Sequence, residues 1–312
     1  RRYLDFVAGI AVVALGHRHP AVTAAAHAQL DRLWHVSNLY WTQPMLDLAG
    51  RLSDRFGGAR AFFCNSGAEA IEAGLKYARK ATGKSGIVAL ETSFHGRTMG
   101  ALSATGQPAK QAGFGPLIPD VRFARLNDAE SLAAACADGN VACILLEPIQ
   151  GEGGINPASH AFLESARALC DAQGALLFFD EVQTGIGRTG TFFAHQQLGV
   201  KPDVMALAKG LGSGVPIGAM LAKEHCAAFH AGDHGTTFGG NPLMTAVARD
   251  VMRYIIDNDV AADVTAKGER LAAKLHGLED RHPEIIEVRG MGLLRAVEFS
   301  SEISGRVTEE AR

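Results

Sequence analysis

The sequence predicts an α/β fold with a largely parallel sheet, on three observations. Apolar runs of strand length alternate with helix-length patterns along most of the chain. Glycine, 36 of 312 residues, gathers just beyond the ends of those runs, where open α/β sheets hold their ligands. Past residue 240 the alternation gives way to two long helical stretches and two short strands, which reads as a smaller α+β domain.

In chain order the candidate strands are 61–64, 87–90, 141–146, 175–179, 204–208 and 217–222. Between the third and fourth, 159–173 places Phe162, Leu163, Ala166 and Leu169 on one helical face and ends at Gly174. Helices are expected again at 242–257 and 260–276, and strands at 285–288 and 293–299. The expected organisation is an N-terminal segment 1–40, a large domain 41–240 and the start of a smaller domain at 241–312. Both ends read as domain interior, so a truncated piece of a longer protein is expected.

Composition excludes several classes. Hydrophobic residues at 47% and charged residues at 20% fit a globular chain and argue against disorder. A net charge of −3 offers no basic field for nucleic acid or an anionic membrane, so neither partner is expected. Apolar runs fall short of the about 20 residues that span a bilayer. The five cysteines form no CxxC pair, which suits a reducing compartment; with no leader-like text at residue 1, a cytoplasmic protein is expected.

Three stretches carry chemistry. Asn65-Ser66-Gly67-Ala68-Glu69-Ala70 follows a strand, and Ser66 with Glu69 makes an S-x-x-E capping box. The start of that helix points backbone N–H groups and a positive dipole end at whatever sits beyond it, and Gly67 admits an anion closely. An ordinary capped helix would look the same. Asp180 ends the apolar run 175–179, where a carboxylate reaches the ligand edge of the sheet; facing a heterocyclic nitrogen, it would hold that nitrogen protonated. A structural Asp bonded to the next loop is the plainer alternative. Lys209 stands among small and apolar residues in Leu207-Ala208-Lys209-Gly210-Leu211. Lysines are seldom placed so without a task, and an apolar setting favours the neutral amine that a Schiff base requires.

Two other patterns are weaker. Gly185-Ile186-Gly187-Arg188-Thr189-Gly190 matches a dinucleotide fingerprint with Asp203 downstream, but residues 181–184 separate it from its strand. His17 and His19 form an H-x-H pair without acidic or thiol ligands beside it, so no metal is expected.

The ordered set of longer motifs resembles the class III aminotransferases across essentially the whole chain. It comprises NSGAEA at 65–70, SFHGRTMGALSATG at 93–106, EPIQGEGG at 147–154, FDEVQTGIGRTG at 179–190, DVMALAKGLGSGVPIGA at 203–219 and HGTTFGGNP at 234–242. Within the family the text is most similar to the acetylornithine/succinylornithine/ornithine group. The resemblance implies a fold-type-I architecture, with a mainly parallel seven-stranded sheet in the large domain, and a homodimer whose subunits share active sites. It also implies pyridoxal 5′-phosphate as cofactor. Lys209 would carry the cofactor as a Schiff base and act in catalysis with Asp180, which pairs with the ring nitrogen. Ser66, Gly67 and Ala68 would hold the phosphate, Phe94 would stack on the ring, and Gln183 would bond its phenolic oxygen. Glu181 and Val182 are expected to touch the cofactor, and Thr237 to reach the phosphate bound by the partner subunit. Arg97 would clamp the donor's α-carboxylate, with Tyr40, Glu152 and Thr236 lining the substrate pocket. The implied reaction transfers the δ-amine of N2-acetyl-L-ornithine to 2-oxoglutarate, a step of arginine biosynthesis. Succinylornithine, ornithine and 4-aminobutyrate are the alternative donors. A non-catalytic binding protein on the same fold is the alternative of another class.

Overall fold

The computed structural model describes residues 2–311; Arg1 and Arg312, the outer ends of the expected first and last segments, lie outside them. Its strands are β1 (Arg60–Cys64), β2 (Gly86–Leu90), β3 (Val121–Ala124), β4 (Val141–Leu146), β5 (Ile149–Gln150), β6 (Asn156–Pro157), β7 (Leu176–Asp180), β8 (Val204–Leu207), β9 (Gly218–Ala222), β10 (Ile285–Met291) and β11 (Leu294–Phe299). Seven of them form one sheet in the order β1-β9-β8-β7-β4-β2-β3. Neighbours pair in parallel from β8 to β3, and β9 alone runs against both its partners. This is the mainly parallel seven-stranded sheet expected from the sequence. The six expected strands are present to within a residue or two at their ends. The seventh, β3, escapes notice because Val121-Arg122-Phe123-Ala124 is a short edge strand with a charge in its middle.

Helices cover both faces, which is why the strands read as unbroken apolar runs. Alternate residues of one strand face opposite cores. Phe178 points to the layer of helix Gly67–Thr82, with Ala70, Ile71 and Ala78. Leu177 and Phe179 point the other way, to Phe162, Leu163 and Ala166 of helix His160–Gln173. Gly74 brings the first helix onto the sheet: a Cβ there would lie 2.2 Å from the Phe178 ring. Truncating the fully buried Phe178 to Ala would cost about 3–5 kcal/mol.

Helix Pro242–Asp257, where the sequence reading starts its second domain, packs into the sheet's own core. Its Val247, Ala248, Val251 and Met252 join Leu48 and Leu52 of helix Gln43–Phe56 and Met205 and Leu207 of β8. Helix Val260–Glu279 and the β10–β11 hairpin follow as a separate packed pair, with Gly268 seated on Gly292. No helix among the described residues is long and apolar enough to cross a membrane.

Candidate active site

A cavity of about 500 Å³ opens at the C-terminal ends of β7 and β8 and is lined by Ser66, Gly67, Ala68, Phe94, Arg97, Asp180, Val182, Gln183 and Lys209, among others. Sequence positions from 66 to 209 converge there because parallel strands deliver all their following turns to one edge.

The first wall is a helix start. Ser66 is extended at φ −155°, and its Oγ accepts from Glu69 N at 3.2 Å, half of the expected capping box. The other half differs: Glu69 Oε2 accepts from Asn65 N at 2.7 Å and from Asn65 Nδ2 at 2.9 Å, one residue earlier than expected. The amides of Gly67 and Ala68 sit in the first helical turn, where no intrahelical acceptor exists, so they remain available to an anion. A Cβ on Gly67 would lie 2.8 Å from Val182 Cγ1, so glycine lets the helix start close onto the cavity floor.

Asp180 ends β7 and is 4% exposed. Its Oδ1 accepts from Val182 N at 3.0 Å, and Oδ2 lies 2.8 Å from His95 Nδ1. Lys209 opens a single 3₁₀ turn, Lys209–Leu211, with φ +44°, a strained backbone for a side chain of its size. Burial lowers the Lys209 pKa; the carboxylates of Asp180, Glu152 and Glu147 oppose that shift and Arg188 adds to it. The result is an amine biased toward its neutral, nucleophilic form.

Phe94 lines the cavity with cations over its ring: Lys110 Nζ stands 4.6 Å and Arg97 Cζ 5.5 Å from the ring centroid. Arg97 is exposed at the mouth. Its loop is tied down by Glu72, whose Oε1 accepts from Thr98 Oγ1 at 2.6 Å and Gly100 N at 2.8 Å.

Other expected residues lie outside the lining. Thr236 sits at the rim, its Oγ1 accepting from Asn65 Nδ2 at 3.1 Å. Thr237, Tyr40 and Glu152 are exposed, although the Glu152 charge is felt at Lys209. One expectation is corrected. Glu181 does not face the cavity. Its carboxylate is buried and accepts from Ala194 N at 2.6 Å and His195 N at 2.9 Å, with the His195 ring also at 2.9 Å. Consecutive side chains at the end of a strand point to opposite faces, so placing Asp180 in the cavity turns Glu181 away.

Three residues were missed as individuals. His95 bridges to Asp180 and is 3% exposed, with its Nε2 buried and unpartnered. Glu147 lines the cavity, accepting from Phe94 N at 3.0 Å and Gly151 N at 2.9 Å; burial drives its pKa up to about 7. Lys110 covers Phe94. His95 and Glu147 both fall inside the quoted motifs, and that placement was the available signal.

The weaker patterns resolve as structure. Residues 185–190 form a turn, with Ile186 at φ +56° and Gly187 at φ +86°, and open no helix. Asp203 lies at the opposite edge of the sheet. His17 meets Asp5 at 2.6 Å, and His19 caps helix Pro20–Leu30 through Nδ1. No group of three metal-ligating side chains occurs among the described residues.

What this cavity suits is a flat, anionic aldehyde attached to a lysine, and the proteins so defined are the pyridoxal-phosphate-dependent transferases. Comparison with known proteins narrows the class. The family model for class III aminotransferases matches residues 1–312, and the chain belongs to that family. A succinylornithine transaminase of Salmonella typhimurium is 47% identical over 313 residues, covering 98% of this chain and 76% of the relative. The ornithine aminotransferase of Toxoplasma gondii superposes with a TM-score of 0.94 at 34% identity, covering 100% of this chain and 78% of that one. The N-acetylornithine aminotransferase of Stenotrophomonas maltophilia gives 0.84 at 39% identity, over 99% and 79% respectively. The protein is therefore a class III aminotransferase, a family that uses pyridoxal phosphate.

Proposed function

We propose that the donor is an N2-acylated ornithine, N2-acetyl-L-ornithine first, with 2-oxoglutarate as acceptor. The products are N-acetyl-L-glutamate 5-semialdehyde and L-glutamate, which places the reaction in arginine biosynthesis in the cytoplasm. The observation that carries this reading is the contrast between the two ends of the cavity: the half-buried lysine inside and the exposed cation of Arg97 at the mouth. Arg97 suits an α-carboxylate held by paired hydrogen bonds. Acylation removes the α-ammonium that would otherwise stand beside Arg97, so the donor's one remaining cation is the δ-amine directed inward.

Pyridoxal phosphate, when bound, supplies a carbonyl carbon for the amine and a ring that takes up the electron pair released at the substrate carbon. Lys209 would provide the attachment point, and its amine, once free, would carry a proton away from the substrate carbon and return it. Asp180 would keep the ring nitrogen protonated, with His95 at 2.8 Å fixing the rotamer of its carboxylate. Gly67 and Ala68 amides and Ser66 would hold the phosphate. Gln183 would donate to the phenolic oxygen, and Phe94 and Val182, which line the cavity, would help to exclude water. Tyr40, Glu152 and Thr236 border the donor.

A second copy of the chain completes the site in this reading, with Thr237 reaching the partner's phosphate. Its support is exposed apolar surface: Phe6 is 86%, Leu39 85% and Trp41 81% exposed. Succinylornithine is the second donor, favoured by the 47% identity with transaminases of that name.

The test is a visible absorbance titration of the cofactor-loaded protein with N-acetylornithine, succinylornithine, ornithine and 4-aminobutyrate. Loss of the bound-cofactor band at low N-acetylornithine, and its return with 2-oxoglutarate, is the expected result. A band that responds first to another amine replaces the donor, and one that responds to none removes the reading.

A further inference from the structure

Turn 151–155 stands apart from the rest of the site because it is held from two sides of the molecule. On the sheet side, Gly151 N donates to Glu147 Oε1 at 2.9 Å, and β5 pairs with β6 across the base of the turn. On the other side it meets β10. Arg289 Nε donates to Gly154 O at 2.9 Å, across 135 residues of sequence. Gly154 takes φ +108°, a backbone that favours glycine, and Gly290 is so close to Ile155 that a Cβ would lie 3.0 Å from its Cγ2.

The guanidinium is held in orientation. Arg289 Nη1 pairs with Glu287 at 2.7 Å and with Glu298 on the neighbouring strand, and the side chain is 15% exposed. The hairpin that carries it is itself anchored to the turn 185–190 that lies beyond β7. Leu293 N donates to Arg188 O at 3.1 Å, and Gly292 abuts the Thr189 backbone, where a Cβ would lie 2.5 Å from its carbonyl carbon. Arg289 is thus a strut between two fixed bodies, with Glu152 on the piece it supports.

We propose that Arg289 is a positioning residue for the donor end of the site: its Nε–H holds turn 151–155, and through it Glu152, in place. This rests on the reading that Glu152 borders the donor. Planar guanidinium geometry is what lets one side chain satisfy two carboxylates and still direct a separate N–H at a carbonyl. A lysine keeps the charge for Glu287 and Glu298 but loses that directed donor.

Arg289→Lys, which retains the ion pairs and hence the hairpin, is therefore the variant to compare with Glu152→Gln in the cofactor-loaded protein. Arg289→Lys is expected to raise the donor KM about fivefold to tenfold, with kcat within about twofold and the cofactor spectrum unchanged. Amide exchange across 151–155 should quicken. Glu152→Gln should raise the same KM, and the double variant should be no worse than Glu152→Gln alone. A wild-type KM in Arg289→Lys beside a raised KM in Glu152→Gln overturns the proposal and leaves the pocket reading standing. Effects that multiply in the double variant show that Arg289 acts elsewhere, which also overturns it. A wild-type KM in Glu152→Gln removes the pocket reading and the proposal together.

Discussion

The two edges of the central sheet each bury an aspartate, and they treat it differently. At the N-terminal edge Asp203 is fully engaged: Arg167 at 2.7 Å, Leu177 N at 2.8 Å and the His225 ring at 3.1 Å. At the C-terminal edge Asp180 has one amide and one histidine, and the lysine in the same cavity makes no ion pair with it. Asp203 joins chain segments that would otherwise separate. Asp180 stands on the wall of the cavity. One edge closes its electrostatics for stability, and the other leaves them open for a ligand, as an aminotransferase requires.

Breaking the open edge should cost activity more than fold. Lys209→Ala is expected to lower turnover more than about a thousandfold while the protein stays folded; single-turnover kinetics with circular dichroism would check both. Asp180→Asn should bind cofactor yet lose about a hundredfold in kcat, because a neutral amide cannot stabilise a protonated ring nitrogen. Breaking the closed edge should do the reverse. Asp203→Asn leaves Arg167 without its inner carboxylate, and denaturant melts should show a loss of about 2–3 kcal/mol with kcat unchanged. At the cavity mouth, Arg97→Ala should raise the donor KM about tenfold with little change in stability.

A pH-dependent effect concerns Glu147 in cofactor-free protein. Its folded pKa, raised by burial to about 7 from an ordinary 4.5, means the native state holds a proton that the unfolded chain releases. Its stabilising contribution is therefore complete below about pH 4.5 and is lost as pH rises through 7. Glu147→Gln should flatten that slope, removing about 2 kcal/mol of the difference between urea melts at pH 5 and pH 8. A slope that persists would mean another group binds the proton.

Local patterning made much of this legible. Val141–Leu146 was read with its observed bounds because a strand covered on both faces is an unbroken apolar run. Helix Pro242–Asp257 was read with its observed bounds too, and its Asn241 cap and first-turn proline account for where it starts. Lys209 stood out because an unpaired lysine in small apolar text is costly. Glu181 was misjudged because an acidic pair at a strand end does not say which of the two faces the ligand.

By itself the sequence determined most of the elements, the α/β class and the helix start at Ser66, and it singled out the lysine and aspartate that line one cavity, since each depends on residues within a few positions of one another. The tertiary structure alone decided the strand order β1-β9-β8-β7-β4-β2-β3, the joining of helix Pro242–Asp257 to the sheet's core, the bond from His95 to Asp180, and the reach of Arg289 to Gly154. Those contacts span tens to hundreds of residues. They form only after packing has chosen which faces meet, and no local pattern in the chain encodes that choice.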